Sequence, residues 1–182
     1  EKAFDQLKAG ESQFKSQRDN GFTTVLTVGK DGIFQGNSAV INLAGDSVSE
    51  MLVHPMFGQH ITFTTARGGA FPSSLMGTFA ALRQMFYDAK RLDEIQKAYA
   101  KNPRGMKRPE ADATLQALIP VVNGEMPIVF NANSEREMIR VLDLIKEYKL
   151  KGMIAGGRDS YKVVNRLKAQ NVPVFLSLNF PV

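Results

Sequence analysis

Polar and glycine residues that follow apolar segments are the positions of this chain that could bind a ligand. Gly156, Gly157 and Arg158 lie between an apolar segment and a helical pattern. A glycine pair at such a turn can leave backbone amides free to bind an anion, and the arginine would add positive charge. The alternative is a tight turn that needs glycine only for its backbone conformation. Asn131 and Asn133 follow another apolar segment, and their amides could hydrogen-bond a small polar ligand.

The chain is poor in residues that bind transition metals. It has only two histidines, His54 and His60, and no cysteine. Neither histidine has a second ligand at the spacing of a zinc motif, and no nucleophile elbow or phosphate-binding loop is present. His60 opens a predicted strand, at the end opposite to the one where β/α proteins bind ligands. We therefore interpret both histidines as structural and predict no cofactor in this chain.

The first two thirds of the chain show long helices but few regular strands. Hydrophobic periodicity, β-branched content and glycine positions together define these elements. The predicted elements are a helix over 2–18, a buried strand over 21–28, an irregular loop over 29–49, a strand over 60–65, and helices over 74–99 and 114–122. The loop is rich in glycine, asparagine and serine, and long loops at strand ends are often functional.

The last third alternates strands and helices. The predicted elements are strands over 127–131, 152–155 and 172–178, with helices over 134–149 and 159–169 between them. Ser134, with Glu137 three residues later, predicts a capping box at the start of the first of these helices. Strand, helix and strand at this spacing predict parallel pairing with right-handed crossovers.

We predict a single domain over 1–182 with an α/β fold, built from parallel β/α units of a partial TIM-like (β/α)8 barrel. The chain has 182 residues, whereas a complete barrel needs about 250. An open, doubly wound sheet could use the same strands. In either fold, ligands bind at the carboxyl ends of the strands. That rule selects Lys30, Asp31, Asn37, Thr65, Arg67, Gly68, Gly69, Asn131, Asn133, Ser134, Gly156, Gly157, Arg158, Asp159, Ser177, Asn179 and Pro181.

Composition narrows the expected partners. The net charge is +5, and Lys101, Arg104, Lys107 and Arg108 contribute much of the excess. No aromatic residues alternate with these charges, as a platform for nucleic-acid bases would require, so we predict a solvated loop and no nucleic acid. No apolar run is long enough to span a bilayer, and no membrane partner is expected. The chain begins with Glu1 rather than Met, so the lack of a signal sequence leaves localisation open.

Several segments resemble, in order, barrel strands of the amidohydrolase superfamily, close to its imidazolonepropionase-like members. Residues 126–133 resemble the fifth strand, which usually has the pattern P-V-x-x-H-A, and residues 153–157 resemble the sixth, with V-x-E-H-G. The other similar segments are 21–25 with the G-[VF]-T-T-V of the second strand, 36–41 with the glycine-rich stretch after it, and 172–176 with the G-V-P-V-V of the seventh. The resemblance implies a fragment spanning about strands two to seven of a barrel.

The resemblance also implies a reaction, which is metal-dependent hydrolysis of C–N bonds with zinc or another divalent metal. The histidine of the fifth strand falls on Asn131, and that of the sixth falls on Gly156. The His-x-His pair of the first strand would precede Glu1. An amide is a poor replacement for imidazole on zinc, and glycine has no side chain. We therefore expect a fragment that is catalytically inactive as it stands, with no metal site.

Two functional hypotheses remain open from the sequence. The first is the amidohydrolase-like fragment, which would bind a small molecule. The second is a free-standing flavodoxin-like domain that binds a small molecule or an anion through Gly156, Gly157 and Arg158. A barrel fragment exposes apolar sheet edges, so we also expect a homo-oligomer with residues 173–180 or 22–28 in the contact.

Overall fold

The structure is a computed structural model that describes residues 2–9, 12–30, 32–65 and 71–177, with the backbone alone at 12 and 13. The chain forms two compact units, residues 1–62 and 63–182. That these units make up a single domain stays a prediction. Among the described helices, none combines the length and the apolar character needed to cross a membrane.

The first unit contains three antiparallel strands. After a 3-10 helix over Ala3–Gln6 come α1 (Ser12–Asp19), β1 (Thr24–Thr27), β2 (Phe34–Asn42), α2 (Val48–Met51) and β3 (Leu52–Thr62). β2 pairs antiparallel with β1 and with β3. The expectation of parallel β/α units is therefore wrong for this unit. The strands are close in sequence, and antiparallel pairing needs only short connections, whereas parallel pairing needs a long crossover.

β2 lies inside the segment that the sequence predicted to be an irregular loop. Its glycine and polar residues indicated a loop, yet Asn37 and Ser38 are buried between the paired strands. Gly36 has a φ of 87°, a left-handed conformation that favours glycine, and the pairing with β3 is irregular beside it. The polar residues of this strand therefore belong to a bulged strand that pairs with β1 on one edge and β3 on the other, and their polarity does not indicate exposure to solvent.

Three other boundaries in the first unit differ from prediction. The helix predicted over 2–18 is two helices, because Leu7 adopts an extended conformation after Gln6. β1 was predicted to be buried but leaves Leu26 39% exposed. β3 begins at Leu52 rather than at residue 60. Pro55 and Gly58 made the sequence look unlike a strand here, because both residues are rare inside regular sheets. They are tolerated where pairing is irregular.

His60 consequently lies near the carboxyl end of β3 and not at the start of a strand, so its predicted position is wrong. Its imidazole is 4% exposed, and its Nε2 atom has no hydrogen-bond partner among the described residues. Burial lowers the pKa of His60 to about 4, so the ring is neutral at pH 7. His54 lies exposed on the same strand.

The core of the first unit forms on one face of β2. Alternate residues of this strand, Ala39 and Ile41, are completely buried. Leu43 continues the same alternation one residue beyond the strand. These side chains pack with Ala3, Phe14 and Met51 from the helices. The period of two is what a half-covered strand requires.

The second unit has the predicted β/α alternation. It contains α3 (Leu75–Lys101), α4 (Ala113–Val122), β4 (Ile128–Ala132), α5 (Glu135–Tyr148), β5 (Gly152–Gly156), a 3-10 turn over Ser160–Val163, α6 (Val164–Gln170) and β6 (Val174–Leu176). β4 pairs parallel with β5, and β5 pairs parallel with β6. The prediction of parallel order over the last three strands is confirmed. The end of the predicted strand over 172–178 lies outside the described residues.

Local sequence signals begin and end α5 as predicted. The Ser134 hydroxyl accepts a hydrogen bond from the Glu137 amide, and the Glu137 carboxylate accepts from the Ser134 amide, which completes the capping box. Met138, Val141, Leu142 and Ile145 are buried on one face of the helix. The helix ends at Tyr148, and the next residue, Lys149, adopts the left-handed conformation at a φ of 56°.

The two faces of the parallel sheet differ in what covers them. A Cβ atom at Gly152 would overlap the side chain of Ile145 on α5, so alternate residues Gly152 and Ile154 face the helices. By the strand registers, Asn131, Ala155 and Phe175 share the opposite face. On the helix side, Phe130 and Phe79 both stack on Phe63, with ring centroids 6.3 and 4.7 Å away.

The close approach of Gly152 and Ile145 predicts a steric cost for any larger side chain. We expect Gly152→Ala to lower the free energy of unfolding by about 1–3 kcal/mol, the range for overpacking a buried site. Urea denaturation measures this. Ile145→Val removes the atom nearest to the added methyl, so the double variant should lose less than the sum of the single losses. Additive losses would show that the two residues do not meet.

The burial of His60 predicts a pH dependence of stability. In the unfolded chain the imidazole has its ordinary pKa of 6.5, whereas in the fold the pKa is about 4. As pH falls from 6.5 to 4, the unfolded state takes up the proton first, so stability declines by up to about 3 kcal/mol. Urea denaturation of the parent and of His60→Leu across this range isolates the histidine. If the free energy of unfolding changed with pH in the same way in both proteins, the result would contradict the burial of His60.

Candidate functional site

The carboxyl ends of β4 and β5 bring together most of the residues predicted to bind a ligand. Asn133 follows β4, and its side chain lies against Gly156, where an added Cβ would be 2.5 Å from the Asn133 Oδ1 atom. The Asp159 amide donates to the Asn133 carbonyl oxygen at 3.0 Å. Asn131 pairs in register with Ala155, one residue before Gly156. The structure therefore places Asn131, Asn133 and the turn after β5 at one edge of the sheet.

The glycine pair in this turn is required by its backbone. Gly156 and Gly157 have φ angles of 96° and 63°, which side chains disfavour. The Gly157 amide donates to the Ala132 carbonyl oxygen at 2.8 Å, so the expectation of a free amide at this position is wrong. An added Cβ at Gly157 would also lie 2.6 Å from the Val174 Cγ1 atom. The tight-turn interpretation explains both glycines.

The Asp159 carboxylate, which follows the glycine pair, makes its contacts within the chain. Burial raises the pKa of Asp159, but hydrogen bonds from the Lys162 side chain and the Glu135 amide, together with the charges of Lys162 and Arg158, outweigh it and hold the pKa below its ordinary value. Glu135 is the first residue of α5, so the carboxylate lies at the N-terminus of that helix, where negative charge is stabilised. Arg158 forms an ion pair with Asp159 at 3.5 Å.

Two of the groups predicted to bind an anion have partners within the chain. The Gly157 amide bonds to Ala132, and Arg158 forms an ion pair with Asp159. Arg158 and Asn133 are nevertheless exposed, so both side chains face solvent at the sheet edge.

Other predicted positions lie apart from this edge or beyond the described residues. Asn37 is buried within β2 rather than following β1, and Lys30 is exposed between the two strands. Ser134 caps α5, and the Ser177 amide donates to the Gly156 carbonyl oxygen at 2.9 Å. Thr65 follows β3 and is exposed. Outside the described residues lie Asp31, Arg67, Gly68, Gly69, Asn179 and Pro181.

The donor groups at the strand ends do not fit a zinc ion. Asn131 offers an amide, and the residue beside it on the same face is Ala155 rather than Gly156. Neither alanine nor glycine supplies a ligand atom from its side chain, whereas zinc sites use imidazole, thiolate and carboxylate groups. Within the described part of the chain, no group of three histidine, cysteine, aspartate or glutamate residues lies close enough to hold a metal.

Sequence reasoning missed two features of the site and misplaced one residue outside it. Ala155 was not recognised as the neighbour of Asn131, because the register between two strands is not a local property of either segment. Asp159 was selected only because it follows β5. Lys162 lies three residues after it, and an acidic and a basic residue at that spacing are a recognisable ion-pair pattern. His60 was assigned to the wrong end of its strand because the start of β3 at Leu52 was not predicted.

Comparison with known proteins identifies the fold. No protein-family model and no curated protein sequence matches the chain. A solved structure described as an amidohydrolase from Thermotoga maritima MSB8 is similar to 87% of this chain, with a TM-score of 0.78 and 22% sequence identity. The chain spans 43% of the length of that protein. The chain therefore has a mixed α/β fold of the partial TIM-like β/α-barrel kind, similar to part of an amidohydrolase.

Proposed function

We propose that this chain is part of an amidohydrolase-like barrel that binds a small, neutral amide at the carboxyl ends of β4 and β5 and does not itself catalyse metal-dependent hydrolysis of C–N bonds. The likeness to the Thermotoga maritima amidohydrolase over 87% of the chain supports the choice of family. Parallel β/α sheets bind ligands at the carboxyl ends of their strands, which supports the choice of place.

The face that carries Asn131 has the chemistry of a site for a neutral polar molecule. Asn131 and Ala155 are half-buried and lie side by side in the ladder, and Phe175 continues the same face on β6. An amide side chain on a face that also carries apolar residues resembles the usual composition of small-molecule sites, in which a few polar groups fix the orientation. An amide group has donor and acceptor atoms, the same two kinds of atom that an amide ligand presents.

One observation carries the second half of the proposal: the pairing of Asn131 with Ala155. The family resemblance implies imidazoles at Asn131 and Gly156, where this chain has an amide and a glycine, and the residue paired with Asn131 supplies only a methyl group. Without those ligands, a bound hydroxide cannot be generated at these positions, because the metal that would lower the pKa of water has nothing to bind there. The residues that remain can orient a ligand through hydrogen bonds and apolar contact.

Introducing two imidazoles at the paired positions tests the register of β4 against β5. We expect Asn131→His/Ala155→His to bind Zn2+, since adjacent residues of a parallel ladder place their side chains on one face. Isothermal titration calorimetry with Zn2+ measures the gain over the parent. The matched control is Asn131→His/Gly156→His, which should bind no better than Asn131→His alone because Gly156 lies off that face and has a φ of 96°. Equal gains in both double variants would contradict the register.

Ligand binding is tested with pyrrolidone, a simple cyclic amide. Saturation-transfer NMR should show binding to the parent chain, and Asn131→Leu, which has the same branched shape, should abolish it by removing the donor and acceptor. Asn165→Leu is the control, because Asn165 is an exposed amide on α6. Pyrrolidone should remain intact on long incubation with the parent chain and Zn2+. Hydrolysis under those conditions, or binding unaffected by Asn131→Leu, would overturn the proposal.

A further inference from the structure

A groove between the first turns of α3 and α5 lies in the layer of helices, whereas Asn131 faces away from that layer. The groove has a volume of about 780 Å3, which is within the range of small-molecule sites. Both helices belong to the second unit. The lining includes Leu75 of α3 together with Ser134, Arg136, Ile139 and Arg140 of α5 and its cap.

The two arginines of this groove have no partner for their charge. Arg136 and Arg140 are exposed and lie four residues apart, so they share one face of α5. Every aspartate and glutamate of residues 63–182 is described, and none of them pairs with either guanidinium group. The described ion pairs of arginine involve Arg83, Arg158 and Arg166 instead.

The position of these charges is unfavourable for the helix. Arg136 is the second residue of α5, where the helix dipole disfavours positive charge. Arg136 and Arg140 also repel each other, because like charges at this spacing destabilise a helix. Lys146, in the last turn, has the favourable arrangement. An anion bound between the two guanidinium groups would offset both penalties.

The groove also offers an apolar surface and a hydroxyl donor. Ile139 and Leu75 are half-buried and line it from the two helices. The Ser134 hydroxyl oxygen accepts a hydrogen bond from the Glu137 amide at 3.3 Å, so its own hydrogen remains available to donate. A ligand that carries a negative charge on an apolar body matches all three kinds of group.

Two carboxylates at one end of the groove restrict where an anion can bind. Glu135 and Asp159 also line the groove, and Asp159 forms ion pairs with Arg158 and Lys162. Arg140 lies more than one turn further along α5 than Glu135. The favourable place for an anion is therefore at the Arg140 end.

We propose that this groove binds an organic oxyanion, which is a phosphate or carboxylate group attached to a small apolar body. The guanidinium groups of Arg136 and Arg140 bind the oxygens, because guanidinium matches both anions in charge and geometry. Ile139 and Leu75 contact the apolar body. Asn131 takes no part, so this site is independent of the proposed amide site.

Isothermal titration calorimetry with phenyl phosphate and with benzoate tests the site and shows which oxyanion it prefers. We expect at least one to bind the parent chain, and Arg136→Gln/Arg140→Gln to weaken binding about tenfold or more, the effect of one lost charge-assisted hydrogen bond. Arg91→Gln is the matched control, since Arg91 is an exposed arginine of α3 outside the groove lining. No binding of either anion, or an equal loss in the control, would overturn the proposal.

Two partial probes separate charge from apolar contact. Inorganic phosphate lacks the ring and benzyl alcohol lacks the charge, so each should bind more weakly than the preferred aromatic anion. Inorganic phosphate that binds as tightly as the aromatic anion would show an adventitious ion only and would contradict the groove site.

Thermal unfolding separates a binding role of the arginines from a structural one. Without ligand, Arg136→Gln/Arg140→Gln should be at least as stable as the parent, because it removes repulsion while glutamine has a similar helix propensity. The preferred aromatic anion should raise the Tm of the parent and leave that of the variant unchanged. A variant that is less stable than the parent without ligand would show that the arginines serve the fold and would contradict the proposal.

Discussion

The register of β4 against β5 is the constraint on which the candidate site depends. Five residue pairs define it, from Ile128 with Gly152 to Ala132 with Gly156. A shift of one residue would move every side chain to the other face of the sheet. The missing side chain at Gly152 accommodates Ile145 of α5, and this contact specifies which face meets the helix. Asn131 and Ala155 lie together on the opposite face as a consequence.

The turn after β5 is held by bonds within the chain. Gly157 bonds to the end of β4, Asp159 bonds to Asn133 through its amide, and its carboxylate reaches the first residue of α5. A turn that satisfies its own polar groups is a rigid support for neighbouring side chains. These contacts hold Asn133 at the edge of the sheet beside Asn131.

Sequence reasoning succeeded where structure is determined locally. The capping box at Ser134, the buried face of α5 and the alternation of β4, β5 and β6 all follow from short patterns. It failed for β2 and β3, because Asn37 and Ser38 are buried by pairing with another strand and their polarity resembled that of a loop. The neighbour of Asn131 in the sheet, Ala155, follows only from the ladder and not from either segment alone.

We propose that the strand ends of this amidohydrolase-like fold do not hold a metal ion. Elemental analysis of the chain, purified in the presence of zinc and then freed of loosely bound ions by dialysis, tests this most directly. We predict no stoichiometric metal, because Asn131, Ala155 and Gly156 supply no imidazole, thiolate or carboxylate. One tightly bound zinc ion per chain would contradict the account and would show that ligands outside these positions complete a site.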